Sequence, residues 1–205
     1  MTSSQPPVES SYPDRAFRSP AGMVGGVLLL GLAVWLGGDA ILRGEGRTPW
    51  FAVAWLLLVL PLVVAFTLRP VVLAGERRVR VRNPFRTIDV PWASVDEFRA
   101  AYSTELVTED GTKYPMWAVP VSLRQRKRAN RQQMKLARAS AKGENPQGEV
   151  KLAQVDQTIR ELRLLCEHHA GSPGTKGEVA IRWAYEIMAP AAVGAVLLAV
   201  LFALG

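Results

Sequence analysis

The chain has 205 residues, 49% of them hydrophobic, and its 25 Lys and Arg against 18 Asp and Glu leave a formal charge of +7. Once the long apolar stretches are set aside, roughly half the chain remains, enough for one small soluble domain. A single cysteine, Cys166, excludes an intramolecular disulfide, and the gathering of basic residues between Arg69 and Arg182 points to an anionic partner or to control of membrane topology.

In chain order, residues 1–20 carry Pro6, Pro7, Pro13 and Pro20 among serines, show no apolar period, and read as a disordered cytoplasmic tail. Residues 21–42 and 49–68 read as transmembrane helices 1 and 2. Their cores, 21–38 and 48–68, contain no charged residue and leave no polar face, unlike a helix of a soluble core. At about 1.5 Å per residue each reaches roughly the 30 Å of a hydrocarbon core. A cleaved signal peptide fits less well, because the apolar run exceeds a signal core and a second run follows at once. Trp35, Trp50, Phe51 and Trp55 fall toward the loop-side ends, as interface aromatics do, and Pro61 predicts a kink in the second helix.

Orientation follows from the basic residues. The hairpin loop holds Arg43 and Arg47, whereas Arg15, Arg18, Arg69, Arg77, Arg78, Arg80 and Arg82 lie on the other side. Positive segments stay inside, so the N-terminus and the segment after Leu68 are expected in the cytoplasm of a multi-pass plasma-membrane protein.

Beyond Leu68 continuous apolarity gives way to alternation, most clearly in Arg78, Val79, Arg80, Val81 and Arg82, where valines share one face and arginines the other. Further strands are expected at Val71–Ala74, Phe85–Val90, Val95–Tyr102, Glu105–Thr108 and Lys113–Val119, with Asp110 and Gly111 as a hairpin turn. Short connections exclude parallel crossovers, so residues 69–122 read as a small antiparallel sheet or partly closed barrel. Trp92 and Trp117 are both expected to fill its core.

These residues resemble a known family. The membrane hairpin, the run Val81, Arg82, Asn83, Pro84, Phe85 and Arg86, then Val90, Pro91 and Trp92, and later Trp117, Ala118, Val119 and Pro120, look like bacterial PH-like domain proteins of the low molecular weight protein antigen six type. The resemblance covers roughly Pro20 to Leu123. It implies an actinobacterial integral membrane protein with a PH-like roll of antiparallel strands closed by a helix. It implies no catalytic set, and headgroup binding does not follow from the fold alone.

After the roll, residues 122–142 read as a basic helix without an acidic residue. Arg124, Arg126, Lys127, Arg128 and Arg131 on it are the candidate contacts to anionic lipid. Residues 150–169 read as an amphipathic helix whose stripe, Leu152, Val155, Ile159, Leu162 and Cys166, either closes the roll or pairs with another helix. Residues 183–204 read as transmembrane helix 3, which puts the C-terminus outside.

Candidate chemistry is thin. Cys166, His168 and His169 lie close together without further ligands in reach, and Asp39 and Glu186 fall at span ends where they are solvated. No phosphate-binding glycine loop, nucleophile elbow or carboxylate pair is present. The expectation is a non-enzyme without cofactor or metal: an integral membrane protein with an N-terminal transmembrane helical hairpin, a small antiparallel β PH-like roll with C-terminal helices, and a third transmembrane helix. Its expected work is to dock a protein or anionic lipid as an interaction or scaffolding module. The competing class is a small regulatory or structural component of a membrane transport assembly, and nucleic-acid binding through the basic helix ranks third. The strand arginines Arg78, Arg80, Arg82 and Arg86 are either the wet face of a sheet or contacts to lipid phosphate.

Overall fold

The computed structural model describes residues 15–100, 103–121, 154–169, 171–172 and 174–204, with 127, 131 and 134 as isolated positions. The chain opens with strand β1 (Arg15–Phe17), helix α1 (Pro20–Arg43) and helix α2 (Thr48–Val63), which ends in a π-helical turn, Val64–Leu68. Strands β2 (Val71–Ala74), β3 (Arg78–Arg82), β4 (Arg86–Pro91), β5 (Val95–Ala100), β6 (Thr104–Thr108) and β7 (Lys113–Pro115) follow. Helix α3 (Gln154–His169), strand β8 (Ala180–Trp183) and helix α4 (Tyr185–Ala203) complete it.

Three of the helices, α1, Thr48–Leu68 and α4, are long and apolar enough to cross a membrane. Ser19 caps α1 by accepting from the Gly22 amide at 3.2 Å, and Pro20 occupies the first turn, where its missing N–H costs nothing. Helix α2 packs against both α1 and α4. Gly194 makes the second contact possible: a Cβ there would sit 2.5 Å from the Leu58 amide nitrogen and 2.9 Å from the Ala54 carbonyl oxygen. After Pro61 the hydrogen-bond register of α2 lengthens, with the Arg69 amide donating to Val64 O at 2.9 Å and the Thr67 hydroxyl to Val63 O at 2.5 Å.

The strands form two antiparallel sheets, β1-β2-β3-β4-β8 and β5-β6-β7. Two boundaries expected from sequence change here. Arg15–Phe17, within the stretch read as tail, pairs with β2, and residues 1–14 lie outside the described residues. Trp183, read as the start of the third span, lies opposite Arg86 in β8, and the helix begins at Tyr185. Both strands complete the hydrogen bonding of neighbours that would otherwise be open edges. The hairpin turn at Asp110–Gly111 is present, with Gly111 at φ +81°. The Asp110 carboxylate accepts from the Thr108 hydroxyl at 2.5 Å and from the Thr112 amide and hydroxyl at 3.1 and 2.9 Å, which holds its pKa below the ordinary value.

The core lies between the sheets and under α3. Val79, Val81, Ile88 and Val90 point into it from β3 and β4, and Val155, Ile159 and Leu162 cover it from α3. The amphipathic stripe therefore closes the roll, with Leu152 outside the described residues. Trp92 sits at the centre, fully buried, its indole N–H donating to Gly75 O at 2.8 Å and its ring stacked against His169 at 6.0 Å. Trp117 does not join it. Strand β7 ends at Pro115 instead of Val119, Met116 turns inward, and Trp117 is 54% exposed, edge-on to Phe66 at 5.5 Å.

Candidate functional site

Strand alternation gives the five-stranded sheet a second face. Register pairs Arg80 with Asp89, Arg82 with Thr87, and Thr87 with Arg182, so these side chains share the face opposite Val79, Val81 and Ile88. The ends of two helices meet them there. Arg69 follows α2 directly, and Glu186 is the second residue of α4. Together with Trp183 they line a cavity of about 400 Å³.

The polar contacts inside it are partly made. Asp89 is almost fully buried and accepts from Arg80 Nε at 2.5 Å, while Arg80 keeps 43% of its side chain exposed. A buried carboxylate needs such a partner, and solvent at the arginine weakens the net gain from the pair. Arg69 is mostly enclosed and spans three elements, donating to Asn83 O at 3.2 Å, Glu186 Oε1 at 2.8 Å and Thr87 Oγ1 at 3.4 Å. It thereby ties the end of α2 to the start of α4 and to β4. Among the described residues, the side chains of Arg82 and Arg182 have no hydrogen-bonding or ionic partner. The cavity is lined by four guanidinium groups and two carboxylates, an excess of positive charge.

An aromatic cavity of about 310 Å³ also has Trp183 in its wall, together with Arg86, its partner in the β4–β8 register. Phe66 from the end of α2 meets Phe85 edge-on at 5.4 Å and Trp117 at 5.5 Å. Asn83 holds this corner: its side chain donates to Pro115 O at 2.8 Å and accepts from the Trp117 amide at 3.2 Å. Trp117, Trp183 and Phe66 are each at least 44% exposed. Exposed aromatics at the end of a helix able to span a membrane match the composition of a membrane interface.

A family model for the bacterial PH domain matches residues 69–136. The match begins at the residue after the π-helical end of α2 and indicates a PH-like domain there. The matched segment contains β2 to β7 and stops before α3 and β8, which supply the lid of the core and one flank of the arginine cavity. Comparison with curated proteins and with solved structures found no match.

Of the residues expected to touch lipid, Lys127 and Arg131 are helical and exposed, and Arg124, Arg126 and Arg128 lie outside the described residues. The strand arginines divide. Arg80 and Arg82 line the cavity, Arg86 lines the aromatic one, and Arg78 is exposed. Asp89, Thr87, Arg182 and Glu186 are absent from the sequence reading as site residues. Alternation marks Thr87 and Asp89 as facing the β3 arginines, but the β4–β8 pairing that brings Arg182 has no local signal. His169 has its pKa lowered, first by burial and then by His168, with Glu76 opposing. The Cys166 thiol is raised by burial, next to Glu167, which makes it a poor nucleophile at neutral pH. Among the described residues no group of His, Cys, Asp and Glu is arranged to hold a metal ion.

Proposed function

We propose that this chain is a non-catalytic, membrane-anchored interaction module of the plasma membrane. Its PH-like domain lies on the cytoplasmic face, its C-terminus lies outside, and it docks a protein or an anionic lipid. The observation that carries this reading is continuity of strand and span. Strand β1 runs into α1, α2 runs into β2, and β8 runs into α4, while all three strands lie in one sheet. A sheet rooted on three spans is held flush with the bilayer, where a mobile tether would leave it free to tumble. The excess of arginines around the span ends supports the cytoplasmic orientation. A helical hairpin followed by a PH-like roll supports the likeness to the antigen-six type. The exposed Lys127 and Arg131, with Arg124, Arg126 and Arg128 beside them in sequence, add attraction to an anionic leaflet of up to about 1 kcal/mol per charge.

The test is made in cells. A reporter inserted in the α1–α2 loop at Glu45 should report from outside, and a photo-cross-linker at the exposed Glu109 or Lys113 should yield discrete adducts. A loop reporter that reads cytoplasmic overturns the orientation. A cross-linker that yields no adduct at either position overturns docking of a protein.

A further inference from the structure

We propose that the arginine cavity binds the terminal phosphate monoester of an anionic lipid in the adjoining leaflet. The inference rests on the reading that the sheet is held against the membrane, and it names the ligand of that site.

Charge selects the group. Four guanidiniums and two carboxylates leave two formal positive charges in the cavity. A phosphate monoester carries about −1.5 to −2 at neutral pH, whereas the diester of a common phospholipid carries one. Geometry supports the same choice. Arg82 and Arg182 flank Thr87 on neighbouring strands, and their planar forks, without partners among the described residues, suit bidentate contact with phosphate oxygens. Arg69 is already committed to Glu186 and Thr87, so it serves as a fixed positive wall. A volume of about 400 Å³ falls inside the roughly 300–1,000 Å³ of small-molecule sites.

Position selects the source. The cavity is bounded by the residue that follows α2 and by the first turn of α4, both helices being apolar enough to span a membrane. A phosphate at that level lies at headgroup depth. Trp183, in the wall of this cavity, is 52% exposed, as an aromatic at the headgroup level of a membrane would be.

The experiment uses the purified full chain in detergent, with bound molecules counted by native mass spectrometry. The probes are dioleoyl phosphatidate, dioleoyl phosphatidylglycerol, dioleoyl phosphatidylcholine and soluble glycerol 3-phosphate. Phosphatidate should be retained at one copy and bound about tenfold more tightly than phosphatidylglycerol, a difference of about 1.4 kcal/mol. The Arg82→Gln, Arg182→Gln double variant, which breaks no ion pair among the described residues, should lose that preference. Arg78→Gln, outside the cavity, should keep it. Equal retention of phosphatidate and phosphatidylglycerol, or an unchanged preference in the double variant, overturns the proposal. Glycerol 3-phosphate bound as tightly as phosphatidate overturns the lipid source. Retention is measured without regard to sidedness, so its failure leaves the cellular topology and docking results standing.

Discussion

The bundle of three apolar helices and the β-roll solve opposite packing problems within one chain. In the roll, apolar side chains turn inward: Trp92, Phe98, Ile88 and Leu106 are essentially unexposed, and α3 seals the open end. In the bundle, many apolar side chains turn outward, with Val24, Leu28 and Trp35 all more than 60% exposed, and the tightest helix approaches fall at glycines. Gly26 lies against Thr67, Gly37 against Leu56, and Gly194 against the backbone of α2. Burial of large side chains drives assembly in water, whereas in lipid close backbone approach must do so, because the solvent is as apolar as leucine. Large-to-small changes should therefore hurt the roll, and small-to-large changes the bundle.

The strongest test of that contrast is Trp92→Ala. It removes a fully buried ring and leaves Gly75 O without its donor, so the roll should lose about 3–5 kcal/mol, read as a lower denaturation midpoint in the near-ultraviolet circular dichroism of the full chain. An unchanged midpoint would mean the core is centred elsewhere. Next is Gly194→Leu, which drives a side chain into the α2 backbone and should weaken α2–α4 association by about 1–3 kcal/mol. Disulfide cross-linking between engineered cysteines on the two helices would report it. Gly25→Ala, where a Cβ meets nothing within 4 Å, is the matching control and should leave cross-linking intact.

Trp117→Ala should cost the roll less than about 1 kcal/mol, since the ring is half exposed and contacts Phe66 outside the core. A loss as large as that of Trp92→Ala would erase the distinction between the two tryptophans. The smallest expected effect is a pH dependence from His169. Its lowered pKa means the unfolded chain binds the proton more readily, so its contribution is complete above the ordinary value of 6.5 and is lost as pH falls through the lowered folded value. Melting of the roll should therefore weaken on the acid side of 6.5, and His169→Gln should flatten that limb. Parallel acid limbs in parent and variant would assign the dependence to other groups.

Much of this was legible from residues alone. Three helices apolar enough to cross a membrane, the alternation in Arg78–Arg82 and the turn at Asp110–Gly111 follow local pattern, although the third helix starts two residues later than the apolar run suggests. The stripe on α3 was legible as a stripe, and its partner was not. Trp92 and Trp117 each stand in short patterned runs, yet one lies at 0% exposure and the other at 54%. What separates them is the ending of β7 at Pro115 and the hydrogen bond from the Trp117 amide to Asn83, a pairing across the fold. A soluble piece cut at 69 and 177, natural from the strand pattern, would lose β1 and β8, the outer strands of the larger sheet.

Sequence by itself determined which segments suit lipid and which suit a pleated, half-buried sheet. Those properties depend on the period and continuity of side chains along one segment, and need no knowledge of its neighbours. Tertiary structure decided that Arg15–Phe17 and Ala180–Trp183 flank the same sheet, that α3 covers the core, and that Arg69, Arg82 and Arg182 converge on one cavity. An edge strand's N–H and C=O groups can be satisfied by any strand that reaches them. Here the choice follows from where α1, α2 and α4 enter the domain, which fixes the flanking strands beside β2 and β4 and carries the arginines with them.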